Sequence, residues 1–499
     1  MGKKIVLVNA LLRPRLVRMN IPMGLLCIGT YAFDRGYEVV VLDANNVEKS
    51  YLFDRLAQEL NDDVLMVGMS IMTAQLTSAV EIAARVREIN PSIPIAWGGV
   101  HPTLYPEQVA SSQYVDYAVK GEGENTLIEL LAAIENQSDP SVVNGISFQS
   151  DGEVVTTSAR EPMDLNDLPF PKWDLLDGIN SEDDLAEVAH KTSVGLPIMT
   201  SRGCPHRCSF CINPILGQRY RFRSAELVVN DIRTILNTGV TRISFFDEDF
   251  FANKKRLIEI MDRIEAEDLK FRWFASGRAD YFREHHISPE LLVRLKNSGC
   301  QQIGIGAESG SQRILDVLKK DIEVEDIMNT ARRLNEVGID ATFSFMIGLP
   351  GEQVSDMHKT VSLISRITAI NDSFRILGPF IYRPYPGSEL YEKCMNAGMQ
   401  VPATIEEWGS SPYIGNEIMP KDYHLFPWVN CPMKDLTNLA FYCWMSGLKV
   451  RTELATAMAR KLAALRCNHM FFKLPVERSI VRFVSERSMV KALSVGKFD

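Results

Sequence analysis

Three of the chain's nine cysteines fall in one short run, Cys204-Pro-His-Arg-Cys208-Ser-Phe-Cys211, and that crowding asks for a chemical reason. The spacing is C-x3-C-x2-C. Three thiolates on one short loop can cap three irons of a [4Fe–4S] cube and leave the fourth iron open to an exchangeable ligand. The alternative is structural zinc, which favours C-x2-C pairs and needs a fourth ligand to close its tetrahedron. His206 supplies that ligand only if the loop folds back on itself. An odd number of cysteines behind an N-terminus without a secretory pattern argues against a disulfide framework.

The elements that must hold this loop alternate in type. Apolar runs at 5–9, 39–42, 65–70, 93–97 and 117–119 read as buried parallel strands, with helical periods at 23–35, 51–60, 74–89 and 126–133 between them. This predicts an α/β fold with an N-terminal doubly wound, flavodoxin- or Rossmann-like domain over residues 1–140. Such sheets bind ligands beyond the carboxyl ends of their strands, where Asn9, Ser70, Gly98 and Gly99 stand. The two glycines leave the backbone open to a large flat or nucleotide-like ligand, and Ser70 can donate to it. Residues 141–190, with turn and acidic residues and Leu168-Pro169-Phe170-Pro171, read as a linker.

A second alternating series follows over 191–400. Strands are predicted at 197–201, 241–246, 271–276, 301–306, 341–347 and 374–382, which gives a partial (βα)6 barrel with its chemistry at the strands' carboxyl ends. The cysteine loop follows the first of these strands. Residues 401–499 read as a mostly helical C-terminal region that contributes to substrate binding or caps the barrel. Tyr382, Arg383, Tyr385, Trp408, Tyr413, Trp428 and Trp444 hint at aromatic pocket walls, the alternative being core.

The formal net charge is −9, which disfavours a nucleic-acid partner. No apolar run approaches the ~18 residues of a membrane span, and Met1-Gly2-Lys3-Lys4 leads straight into a strand, so a cytoplasmic location is expected. Residues 448–499 carry 11 Lys or Arg against 4 Asp or Glu, beside apolar groups such as Met470-Phe471-Phe472. Such a tail can lie peripherally on an anionic membrane, or cap the barrel with its charges solvated.

The cysteine spacing, with Phe210 just before the last cysteine, resembles the radical S-adenosylmethionine (SAM) superfamily. Further likeness lies in Phe245-Phe246-Asp247-Glu248-Asp249-Phe250, Ser276-Gly277-Arg278-Ala279-Asp280, Gly304 to Gly310, and Gly348-Leu349-Pro350-Gly351-Glu352, each at the end of a predicted strand. With the α/β domain in front, and with Pro22-Met-Gly-Leu-Leu, Gly98-Gly-Val-His-Pro-Thr and Gly121-Glu-Gly-Glu124, the chain is similar to the cobalamin (B12)-binding radical SAM enzymes over roughly residues 1–400.

The resemblance implies three cofactors: a [4Fe–4S] cluster on Cys204, Cys208 and Cys211, SAM, and cobalamin. It implies that Phe210, Asp247, Glu248, Arg278 and Glu308 contact SAM; helix capping in the βα loops is the alternative for each polar residue. On the cobalamin side it implies Asn9, Ser70, Gly98, Gly99, His101, Gly121 and Glu122. The family's D-x-H-x-x-G motif is missing, since residues 10–24 contain no histidine, so the lower face of cobalt is expected without a histidine ligand.

The implied activity is methylation of an unactivated carbon through a 5′-deoxyadenosyl radical and methylcobalamin. A cobalamin-dependent cyclisation or oxidative rearrangement without methyl transfer is the alternative. Implied partners are a small-molecule or lipid-like substrate and an external electron donor of flavodoxin or ferredoxin type. A methylthiotransferase would need three more cluster cysteines in front, and residues 1–150 contain only Cys27.

Overall fold

The computed structural model describes residues 3–12, 21–192, 195–216, 219–411, 413, 424–447, 461–463 and 465–467. Strands β1 (Lys4–Asn9), β2 (Glu38–Asp43), β3 (Val64–Ser70), β4 (Ile95–Gly98) and β5 (Tyr117–Val119) form a parallel sheet. They are almost wholly apolar because helices cover both faces; Ile5, Val6, Val8, Met66, Val67 and Ile95 have no exposed surface.

The reading of 141–190 as a linker needs correction. Strands β6 (Ile146–Ser150) and β7 (Glu153–Thr156) extend the first sheet antiparallel, giving the order β2-β1-β3-β4-β5-β6-β7. Asp151 and Gly152 both take positive φ, 51° and 82°, and close this hairpin as an Asp-Gly turn does. Beyond it, Leu176 bridges to Val41, and Trp173, Leu175 and Leu176 are buried in the first core.

Strand β8 (Leu196–Ile198) opens the second sheet. A short antiparallel hairpin, β9 (Ser201–Arg202) and β10 (Arg221–Phe222), brackets the cysteine loop. Then come β11 (Arg242–Phe245), β12 (Arg272–Gly277), β13 (Cys300–Glu308), β14 (Asp340–Ile347) and β15 (Arg375–Ile381). All six large strands run parallel in the order β15-β14-β13-β12-β11-β8, an open half barrel. One face of each strand is buried, as Ile243, Phe245, Trp273, Ile303, Ile305, Phe343 and Phe345 show. The opposite face presents small residues, Ser244, Ser276, Gly304, Gly306 and Ser344, with Phe246, Leu377 and Phe380 exposed around them.

After the barrel the chain returns to the first domain. Thr77 Oγ1 donates to the Gly409 carbonyl at 2.9 Å, and Tyr105 and Tyr391 share a hydroxyl hydrogen bond at 3.3 Å. Among the described residues beyond 400, Ile405–Ser410 and Met433–Gly447 are helices. The basic tail, 470–472 included, lies outside the described residues apart from 461–463 and 465–467, which are helical. No helix among the described residues is long and apolar enough to cross a membrane.

Candidate functional site

The loop bearing Cys204, Cys208 and Cys211 is clipped at its middle. Ser209 N and Oγ both donate at 2.9 Å, to the carbonyls of Leu318 and Val317, and Leu390 N donates to the Ser209 carbonyl at 3.0 Å. Burial pushes the Cys204 thiol up to about 12 and also raises Cys211, and the neighbouring sulfurs add to both shifts. Thiols held this way lose their protons only to a strongly thiophilic metal. Three soft donors on one clipped loop fit an iron–sulfur cube with one open corner.

A carboxylate stands behind the loop. Asp249 is buried; its Oδ2 accepts from Cys204 Sγ at 3.8 Å and from the Tyr281 hydroxyl at 2.7 Å, and its Oδ1 has no partner among the described residues. His206 Nε2 is 2.5 Å from the same Tyr281 hydroxyl, so the histidine turns toward Tyr281. Ligand atoms of Cys204, His206 and Asp249 lie within 4.8 Å of one another, a group that could hold a single metal ion. It would leave Cys208 and Cys211 unused.

Of the expected SAM contacts, three gather beside Cys208. Arg278 Nη1 lies 3.7 Å from the Cys208 sulfur, and its Nε binds Asp280 at 3.0 Å. Glu308, at a positive φ of 59°, pairs with Lys320 at 3.0 Å, both side chains being buried. Lys320 Nζ in turn lies 5.8 Å from the Phe210 ring centroid. Burial opposes the Lys320 charge, but Glu308 and Cys208 outweigh it and raise its pKa. A Cβ at Gly306 would come within 2.4 Å of Glu308 Oε1 and 2.8 Å of Lys320 Nζ, so the pair depends on a glycine there. Sequence reading missed Lys320, Asp249 and Tyr281.

Asp247 is placed differently from the expectation. It is buried and accepts from the backbone and hydroxyl groups of both Thr200 and Ser201, which ties the end of β8 to β11 and uses its oxygens within the protein. Glu248 is exposed on the same strand end.

The front-domain candidates also divide. Asn9 is engaged with Asp43 at 2.8 Å and Gln75 at 3.1 Å, and so is turned into the protein. Gly99, at φ 94°, is required by its own neighbours, since a Cβ would meet Ile71 N at 2.8 Å and Ser70 Oγ at 2.9 Å. His101 sits in the short helix Val100–Leu104 with no exposed surface, between Tyr105 and Trp408. Its Nδ1 is 3.2 Å from Thr73 Oγ1, its Nε2 has no partner among the described residues, and burial lowers its pKa to about 4. Glu122 is taken by Arg202 and Arg221. Ser70, Gly98 and Gly121 remain at the strands' carboxyl edge; a Cβ at Gly24 or Gly121 would meet nothing within 4 Å, so the edge there is an open ledge. Tyr382, Trp408, Tyr413 and Trp428 are core, whereas Tyr385 is exposed. The Trp444 side chain lies outside the described residues.

The Radical SAM superfamily model matches residues 198–364, and the B12 binding domain model matches residues 19–131. An uncharacterized methyltransferase of Pyrococcus horikoshii is 29% identical over 379 residues, covering 74% of this chain and 78% of its own length. An anaerobic magnesium-protoporphyrin IX monomethyl ester cyclase of Rubrivivax gelatinosus is 27% identical over 370 residues; the match covers 72% of this chain and 63% of the cyclase, less than two thirds of it. In fold, the chain is similar to the radical S-adenosylmethionine methyltransferase TsrM of Kitasatospora setae, solved with cobalamin and a [4Fe–4S] cluster bound. That likeness has a TM-score of 0.65 at 20% identity and covers 94% of this chain and all of the other.

Proposed function

The chain belongs to the cobalamin-binding radical SAM enzymes, and from that premise we propose that it is a C-methyltransferase acting on an unactivated carbon of a small-molecule or lipid-like substrate. The observation that carries this reading is one constellation: three cysteines, with Arg278, Glu308, Lys320 and Phe210 grouped around Cys208 at the carboxyl end of the half barrel. When bound, the cluster supplies the electron that cleaves SAM, and cobalamin supplies a carrier for the methyl group.

The chain's own residues divide that work. Cys204, Cys208 and Cys211 hold the cluster. The Glu308–Lys320 pair matches the zwitterionic end of SAM, with Glu308 accepting from its ammonium and Lys320 donating to its carboxylate. Phe210 borders the adenine, and Arg278 keeps a fixed cation beside the cluster. Ser70, Gly98 and Gly121 offer the ledge on which cobalamin lies. The small side chains of the open sheet face, Ser276, Gly304 and Ser344, leave room for substrate, and Phe246, Leu377 and Phe380 give it apolar contact.

An electron donor of flavodoxin or ferredoxin type and a cytoplasmic setting complete the reading. The likeness to the cyclase favours a second one, ring closure without methyl transfer. Anaerobically reconstituted protein incubated with SAM, hydroxocobalamin, a reductant and candidate substrate pools tests both. A product heavier by one methylene supports methylation, and one lighter by two hydrogens supports ring closure. Absence of 5′-deoxyadenosine under reduction sinks both.

A further inference from the structure

The Gly121-Glu122-Gly123-Glu124 turn follows β5, and its two carboxylates reach out of the front domain. Arg202, the last residue of β9, is 3.4 Å from Glu122 through Nη1 and binds Glu124 through Nη2. Arg221, which opens β10, grips both oxygens of Glu122 and donates to the Met163 carbonyl at 2.6 Å. Arg202 and Arg221 are register partners in the hairpin, so two like charges stand opposite each other across it. Cross-strand like charges repel unless something neutralises them. Here the neutralising groups come from the other domain.

The place of this seam in the chain matters. Arg202 is separated from Cys204 only by Gly203, and the hairpin brackets the whole cysteine loop. The carboxylates stand at the carboxyl edge of the first sheet, beside the Gly121 ledge. All four side chains are largely out of solvent, where ion pairs are weakly screened.

We propose that Arg202, Arg221, Glu122 and Glu124 are positioning residues that set the separation and orientation of the cluster relative to the ligand of the front domain. This rests on the proposed cofactor set. The carboxylates of Glu122 and Glu124 are taken up by Arg202 and Arg221 and not turned toward a ligand, so losing the seam is expected to disturb the geometry between cofactors while each still binds.

The test is electron paramagnetic resonance of the full chain loaded with both cofactors, the cluster reduced and the cobalt in its cob(II) state, because the magnetic coupling of two such centres reports their distance. In the Glu122→Gln/Glu124→Gln variant, iron and cobalamin contents and 5′-deoxyadenosine formation should hold. The single coupling of the parent should spread, and methylated product should fall about a hundred-fold, the cost of an ångström-scale misplacement. The single Glu122→Gln variant serves if the double one fails to fold. Arg202→Lys, which keeps the charge without the fork, should give an intermediate spread. An unchanged coupling overturns the proposal, and so does loss of either cofactor, which would make the seam part of a binding site. Hydrogen exchange at the amides of β9 and β10 needs no cofactor: faster exchange in the variant supports the seam, and unchanged exchange overturns it. A parent that binds no cobalamin would instead overturn the reading of function.

Discussion

Arg278 carries its Nη1 3.7 Å from the sulfur of Cys208 and is held there by Asp280, bound to its Nε at 3.0 Å. A buried cation beside a cluster ligand favours the more negative, reduced state of the cluster, because charges interact strongly where water is excluded. In Arg278→Gln, iron content should stay near that of the parent while the fraction of cluster reduced by dithionite falls. Equal reduction in parent and variant would contradict this role.

The three cysteines are expected to act as a unit. Cys208→Ala should lose both iron and SAM cleavage after anaerobic reconstitution, since a methyl group cannot replace a thiolate. Full iron retention in the triple Cys204/Cys208/Cys211→Ala protein would point to another metal site.

The Glu308–Lys320 pair is buried, so removing one partner strands a charge. Glu308→Gln or Lys320→Met alone should cost about 3–5 kcal/mol, and the double variant less than the sum of the two. Urea unfolding midpoints measure this. SAM binding, followed by calorimetry on the reconstituted protein, should be lost in all three.

His101 has a folded-state pKa of about 4, lowered by burial from an ordinary value near 6.5. A histidine kept neutral in the fold but free to charge when unfolded contributes stability above pH 6.5. That contribution is lost as pH falls from 6.5 to 4, in total about 3 kcal/mol at 1.36 kcal/mol per pH unit. The unfolding free energy of the parent should therefore fall by about 3 kcal/mol relative to that of His101→Gln between pH 6.5 and 4. The cob(II)alamin spectrum should be the same in both, because the ring is enclosed by Tyr105 and Trp408.

The strands of both sheets were legible because helix-covered parallel strands leave runs of apolar residues that periodicity detects. The hairpin of β6 and β7 was not, although Asp151-Gly152 was its signal; polar residues around it resembled a linker. At the site, spacing alone pointed to the cysteines, and strand-end position pointed to Arg278 and Glu308. Asp247 and Asp249 show the limit. They are the same residue type two positions apart, yet one oxygen pair closes the turn at Thr200 and Ser201 while the other stands behind Cys204. Lys320 enters from a turn after the short helix Gln312–Val317, where no period marks a residue as facing the barrel.

For the basic tail, flotation with anionic vesicles distinguishes membrane docking from a barrel cap. Docking requires salt-sensitive flotation that is lost when Arg478, Arg482, Arg487 and Lys491 become Gln, since such attraction is screened over about 10 Å at 0.1 M salt. Protein that stays at the bottom of the gradient at low salt would dismiss docking.

The order of strands along the chain also bears on synthesis. Every strand of the first sheet is complete by Thr156, before Cys204 leaves the ribosome, whereas the half barrel adds its strands one after another toward Ile381. Domains fold as units, N-terminal first, as the chain emerges. Glu122 and Glu124 are therefore in place when Arg202 appears, and the cysteine loop is born against a finished surface that fixes where it will receive its metal.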